Sequence, residues 1–153
     1  MKTKLTLLIV FAFLSAANVN AQTQASMLKS SDPKLAANKK LLYDFWRVVF
    51  EGGHMDEAPK YMAETYIQHN PNVASGRKAF MDFFSKFAVA KPVVDTVKAP
   101  LIAIIAENDY VTLVFRSDRQ DPKDPGQKYS TTWFDMFRIE NGKMAEHWDP
   151  ATK

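Results

Sequence analysis

The stretch Lys128–Asp149, KYSTTWFDMFRIENGKMAEHWD, decides the fold. Two runs rich in aromatic and β-branched residues flank Asn141-Gly142, a strong hairpin signal. Side chains of a strand alternate between faces. In the first run Trp133, Asp135, Phe137 and Ile139 share one face, and Ser130, Thr132, Phe134, Met136 and Arg138 the other. In the second, Ala145, His147 and Asp149 fall together, opposite Met144, Glu146 and Trp148. A carboxylate among large apolar groups is costly without a partner. Binding sites use such groups as bases or as protonated donors.

Whether Asp135 meets His147 depends on the turn. A two-residue Asn141-Gly142 turn pairs Glu140 with Lys143 and Met136 with His147, which puts Asp135 on the opposite face. A three-residue loop with Gly142 in a bulge pairs Ile139 with Lys143 and sets Asp135 opposite His147, with Asp149 diagonal to it. A slip of one residue exchanges the faces, and Asn-Gly suits either turn.

Upstream of the hairpin, VDTVKAPLIAIIAEND and YVTLVFRSDRQ read as two further strands, separated by turn residues. The four segments form an antiparallel meander. The half before them is helical. In SDPKLAANKKLLYDFWRVVFEGG, Ser31 or Asp32 caps, Pro33 suits the first turn and Gly52-Gly53 stop the helix. Its stripe of Leu35, Leu42, Phe45, Trp46, Val49 and Phe50 is core-facing. HMDEAPKYM is a short helix, and AETYIQHNPNVASG an irregular connector. SGRKAFMDFFSKFAVA is a third helix, capped by Ser75, with Phe80, Phe83, Phe84 and Phe87 as its apolar face. Helices followed by a sheet argue an α+β domain.

The first residues, MKTKLTLLIVFAFLSAANVNA, combine a basic start, a short apolar run and small residues before Ala21. That is the pattern of a secretory signal peptide (1–21) cleaved after Ala21. Residues 22–31 are expected to be a flexible leader, and residues 32–153 one domain with enough chain for a real core. The sequence has no cysteine, so neither disulfides nor a lipid-modified cysteine are available. Hydrophobic residues at 46%, with eleven Phe, allow packing to supply the stability. The formal charge of +3 becomes +1 without Lys2 and Lys4, and the basic residues are scattered, which gives nucleic acid no footprint. No P-loop, Gly-rich dinucleotide loop or nucleophile elbow is present. His69 and His147 lack metal-ligand spacing, so no metal is expected.

YIQHNPNVASGRKAFMDFF followed by FDMFRIENGKMAEHWD resembles the SnoaL-like branch of the nuclear transport factor 2-like superfamily, over roughly Asp32 to Asp149. The resemblance implies a cone: helices packed in a strongly curved antiparallel sheet around a pocket, in a homodimer. In polyketide cyclases of this type a pocket aspartate takes a proton from carbon beside a carbonyl, without metal or organic cofactor. Carried onto this chain, it implies Asp149 or Asp135 as base. His147 would be a catalytic partner. Tyr66, His69, Asn70 and Trp133 would contact the substrate. It also favours the register that brings Asp135, His147 and Asp149 to the inner face. The expected ligand is a small apolar carbonyl compound. A secreted, non-catalytic binding protein with the same pocket is the alternative, because polyketide chemistry is usually intracellular. Phe134 and Met136 on the outer face would motivate an interaction module.

Overall fold

The structure is a computed structural model that describes residues 23–153. The predicted signal peptide lies outside the described residues. Among the described residues, no helix is long and apolar enough to cross a membrane.

Helix α1 (Gln24–Met27) is a single turn. It corrects the expectation of a loose leader. Met27 is buried in the core, and the Gln24 amide bonds the backbone of Val97 in both directions, at 2.8 and 2.9 Å. One apolar residue and one amide fasten an otherwise polar segment.

Helix α2 (Pro33–Phe45) starts as its sequence dictates: Asp32 accepts hydrogen bonds from the Lys34 and Leu35 amides, with Pro33 in the first turn. It widens into a π-helical turn at Trp46–Glu51. Here Gly52 N donates to Arg47 O, five residues back. This shift lets Phe45, Trp46 and Val49 all turn inward, and all three are buried. Gly53 follows at φ +74, with the Val89 carbonyl 2.5 Å from where a Cβ would stand, so only glycine fits. A 3₁₀ turn (Met55–Glu57) leads into α3 (Ala58–Tyr61).

Next comes β1 (Met62–Gln68), where an irregular connector was expected. Helix α4 (Arg77–Phe84) is preceded by Gly76 at φ +98, and Ser75 does not cap it. The Ser75 hydroxyl instead accepts from the Gln68 amide at 3.0 Å and ties the loop back to β1. Phe80 of α4 is buried, whereas Phe87, beyond its end, is 73% exposed.

The four predicted strands are β2 (Leu101–Glu107), β3 (Tyr110–Gln120), β4 (Lys128–Glu140) and β5 (Lys143–Trp148). They form the expected antiparallel meander, and β1 adds to it in parallel, giving the order β1-β5-β4-β3-β2. The helices pack in this curved sheet, in the α+β cone that the sequence implied.

Neither register foreseen for the last hairpin occurs as such. The turn is the two-residue one, with Asn141 at φ 50 and Gly142 at φ 71, and Glu140 pairs with Lys143. Ile139 then pairs with Met144, but Arg138 pairs with Glu146, so Ala145 is an extra residue in β5. Phe137 consequently faces His147. The bulge rotates Met144 and His147 onto the same inner face, against the simple alternation. Met144 is fully buried and His147 is 7% exposed.

Candidate active site

Three neighbouring strands build the inner wall of a cavity of about 410 Å³. Asp135 and Phe137 come from β4, His147 from β5, and Tyr66 and Gln68 from β1. Gln68 and His147 are register partners, so their side chains lie side by side. Helix α2, its π-turn and α4 close the other wall with Phe45, Trp46, Phe50, Phe80 and Phe84.

Gln68 is the hub of the polar cluster. Its Oε1 accepts from the Asn70 backbone N–H at 3.0 Å and lies 2.8 Å from His147 Nδ1. A backbone N–H can only donate, which fixes the orientation of the amide. His147 Nδ1 must therefore be the donor to Gln68. The other nitrogen, Nε2, lies 3.0 Å from Asp135 Oδ1. That contact is a hydrogen bond only if one proton lies between the two atoms, on the imidazole or on the carboxyl. Asp135 and His147 are thus a proton-sharing pair, 5% and 7% exposed. Phe137 packs on the imidazole at 4.5 Å and holds its plane.

The second oxygen of Asp135, Oδ2, is buried without any hydrogen-bond partner. Asp149 is the opposite case. Asn70 Nδ2 donates to its Oδ2 at 2.7 Å, and the Ala151 N–H to its Oδ1 at 2.9 Å. Each oxygen of Asp149 thus accepts a hydrogen bond, whereas Oδ2 of Asp135, a residue of the cavity lining, accepts none. One atom each of Asp135, His147 and Asp149 lies within 4.8 Å of the others, close enough for a metal ion to bridge. In the structure Asp135 Oδ1, His147 Nε2 and both oxygens of Asp149 already take part in the hydrogen bonds just described, and Asp135 Oδ2 does not.

Tyr66, 1% exposed, receives a hydrogen bond from Gln68 Nε2 on its hydroxyl at 3.2 Å. Burial, and then the charges of Asp135 and Asp149, push the phenol well above its ordinary pKa. The hydroxyl therefore stays protonated as a donor. The indole Nε1–H of Trp46, on the same cavity, is also buried without a partner.

Six of the seven residues singled out from the sequence thus line the cavity: Asp135, His147, Asp149, Asn70, Tyr66 and Trp133. His69 does not. It continues β1 one residue past Gln68, so its side chain points to the outer face. There it stacks on Trp148, with ring centroids 4.6 Å apart, and bonds Glu146 Oε2 at 3.1 Å. Gln68 was missed, although Tyr66, Gln68 and Asn70 stand at period two in TYIQHN. Its replacement by leucine strands the His147 Nδ1–H and the Asn70 N–H. Gln68 itself is half-buried, so Gln68→Leu should cost about 2 kcal/mol in urea unfolding.

On the outer face, hydrogen bonds from His69 and then Arg138 hold the Glu146 carboxyl below its ordinary range. A carboxyl made more acidic by folding stabilises above its unfolded pKa, and this is lost as pH falls through the folded value. The stability gap between wild type and Glu146→Gln should therefore shrink on acidification below about pH 4. Thermal melts of both proteins across that range would show it.

No curated protein is a significant match in sequence. Among solved structures, a nuclear transport factor 2-like protein of unknown function from Mesorhizobium loti aligns at TM-score 0.54 and 17% identity, over 81% of this chain and 98% of that one. An epoxide hydrolase of the LEH-like type from M. tuberculosis aligns at TM-score 0.53 and 9% identity, over 76% and 84%. A protein provisionally described as a polyketide cyclase, from Acidithiobacillus ferrooxidans, aligns at TM-score 0.53 and 18% identity, over 74% and 86%. At these identities the likeness is one of fold. In sequence, the SnoaL-like domain matches residues 42–147, from α2 to the histidine of the proton-sharing pair. The chain belongs to the SnoaL-like domain family.

Proposed function

We propose that this protein catalyses proton abstraction from carbon α to a carbonyl, leading to an aldol-type closure or an isomerisation without a cofactor. The observation that carries the reading is Asp135 Oδ2: a buried, unpartnered carboxylate oxygen on an apolar cavity, whose sister oxygen is held by His147. Its desolvation is offset by His147 on one side only, which leaves the other lone pair for a substrate proton.

The residues take distinct parts in this scheme. Asp135 accepts the proton. His147 shares its proton with Oδ1 and orients the carboxyl. The aromatic walls exclude water and hold the apolar body of the ligand. The Tyr66 O–H and the Trp46 N–H are the donors left for the developing enolate oxygen, and donors aimed at developing charge contribute strongly in a dry site. Asp149, bonded on both oxygens, keeps Asn70 and the chain end in place. The aspartate left undecided by the sequence is in this reading Asp135.

Conversion of carbonyl compounds by the purified protein, with and without a chelator, tests the proposal. The expected outcome is an isomerised or cyclised product at a rate the chelator leaves unchanged. Saturable binding with no product from any of them would instead favour a non-catalytic ligand carrier.

The protein is further proposed to be exported, on the pattern of residues 1–21, and to form a homodimer through the outer face of the sheet. That face exposes Ile105 on β2 and Phe134 on β4, at 58% and 47%, on either side of β3. Phe134→Glu should convert the protein to a monomer in sedimentation velocity while leaving its thermal stability nearly unchanged.

A further inference from the structure

The cavity has two electrically different ends. At one end stand Asp135 and Asp149. At the other, Arg119 lines the same cavity. On β3, Phe115 faces inward opposite Trp133, and Ser117 and Arg119 follow it at period two on the same face. The Arg119 side chain folds back along this face until its guanidinium lies over the Trp133 ring, 5.4 Å from the centroid. That contact positions the guanidinium, and among the described residues its N–H groups make no hydrogen bond. Among the described residues Arg119 makes no ion pair, whereas the neighbouring Arg116 is paired with Asp118 at 3.2 Å. Trp133 and Asp135 are two residues apart, about 7 Å along the strand. A guanidinium without an ion pair and the residues Asp135 and Asp149 thus line one largely apolar cavity from opposite ends.

We infer that the ligand is an anionic amphiphile, with a carboxylate or sulfonate-like group held by Arg119 and an apolar body running inward along the aromatic walls. Guanidinium pairs with such planar or tetrahedral oxyanions through two parallel N–H donors. The proton held between Asp135 and His147 leaves that pair without net charge, so the carboxylate of Asp149 at the inner end repels an anion and fixes the direction of entry. This inference rests on the cavity being a ligand site, and in the proposed reaction it selects substrates with an acid group remote from the reacting carbonyl. It does not require that the reaction occur.

The test compares two fluorescent probes that differ only by a sulfonate group: 8-anilinonaphthalene-1-sulfonate and neutral N-phenyl-1-naphthylamine. They are titrated into the folded protein, Arg119→Gln and Asp135→Asn. Wild type is expected to bind the sulfonate the more tightly, with an affinity that falls as salt is added. Arg119→Gln should weaken the sulfonate about tenfold and the neutral probe less than about twofold, since a charged hydrogen bond at a solvent-facing rim is worth less than a buried one. Asp135→Asn should leave the sulfonate as tight as before or tighter, whether or not the protein proves to be an enzyme. Equal weakening of both probes by Arg119→Gln would show that Arg119 only shapes the aromatic wall, and would overturn the inference. So would a sulfonate affinity that ignores both the substitution and the salt.

Discussion

Asp135→Asn is expected to lower turnover by about a thousandfold, within the range a positioned general base contributes, while ligand affinity changes little. The amide keeps the size of the carboxyl and a hydrogen bond to His147, but no lone pair on it is basic enough to take a proton from carbon. The loss should appear in kcat rather than in KM, because the group acts on the transition state. Asp149→Asn provides the contrast. Asp149 accepts from Asn70 and from the Ala151 N–H, so its replacement should disturb the position of Asn70 and cost far less, about tenfold. If the two substitutions exchanged these outcomes, Asp149 would be the base.

Phe45→Ala is expected to be the most damaging change to stability, at about 3–5 kcal/mol. Phe45 is 3% exposed and meets the rings of Tyr61, Phe80 and Phe137 at centroid distances of 6.1, 5.9 and 6.4 Å. It joins α2 to α3, to α4 and to the sheet. Because a domain of this size has only about 5–15 kcal/mol in total, the alanine variant should be largely unfolded when warmed modestly. Phe45→Leu keeps most of the volume and should lose about 1–1.5 kcal/mol, which urea titration would resolve. The effect should also reach the site. Phe137 lies between Phe45 and the His147 imidazole, so the leucine variant should lower turnover more than it lowers affinity.

The residues that were legible in the sequence are those whose partners are near in the chain or whose pattern is periodic. Asp32, Pro33 and the apolar stripe announce α2, and β-branched runs between turn residues announce β2 to β5. What escaped depends on distant partners. Among the described residues β1 is an edge strand that pairs only with β5, about 80 residues further on, and it pairs in parallel, without a hairpin to reveal it. Missing that strand hid Gln68 and turned His69 the wrong way, since the two differ by one step of alternation. The Ala145 bulge escaped for another reason. A small residue in a strand carries no local mark of being extra, and the choice is made by the core, which accepts both Met144 and His147 only if one residue is set aside. The alternation of β4, by contrast, put Asp135 on one face with Trp133, Phe137 and Ile139, and the resemblance to the SnoaL-like branch favoured that face as the inner one.

Solvent-deuterium exchange at carbon α to the carbonyl of a bound ketone tests the central claim most directly, because it detects proton abstraction even where no later step follows. The account predicts that wild type washes deuterium into that position, measured by mass spectrometry, and that Asp135→Asn does so about a thousandfold more slowly while still binding the ketone. Exchange that proceeds as fast in Asp135→Asn as in wild type, or saturable binding of the ketone by wild type with no exchange above the solution rate, would contradict it.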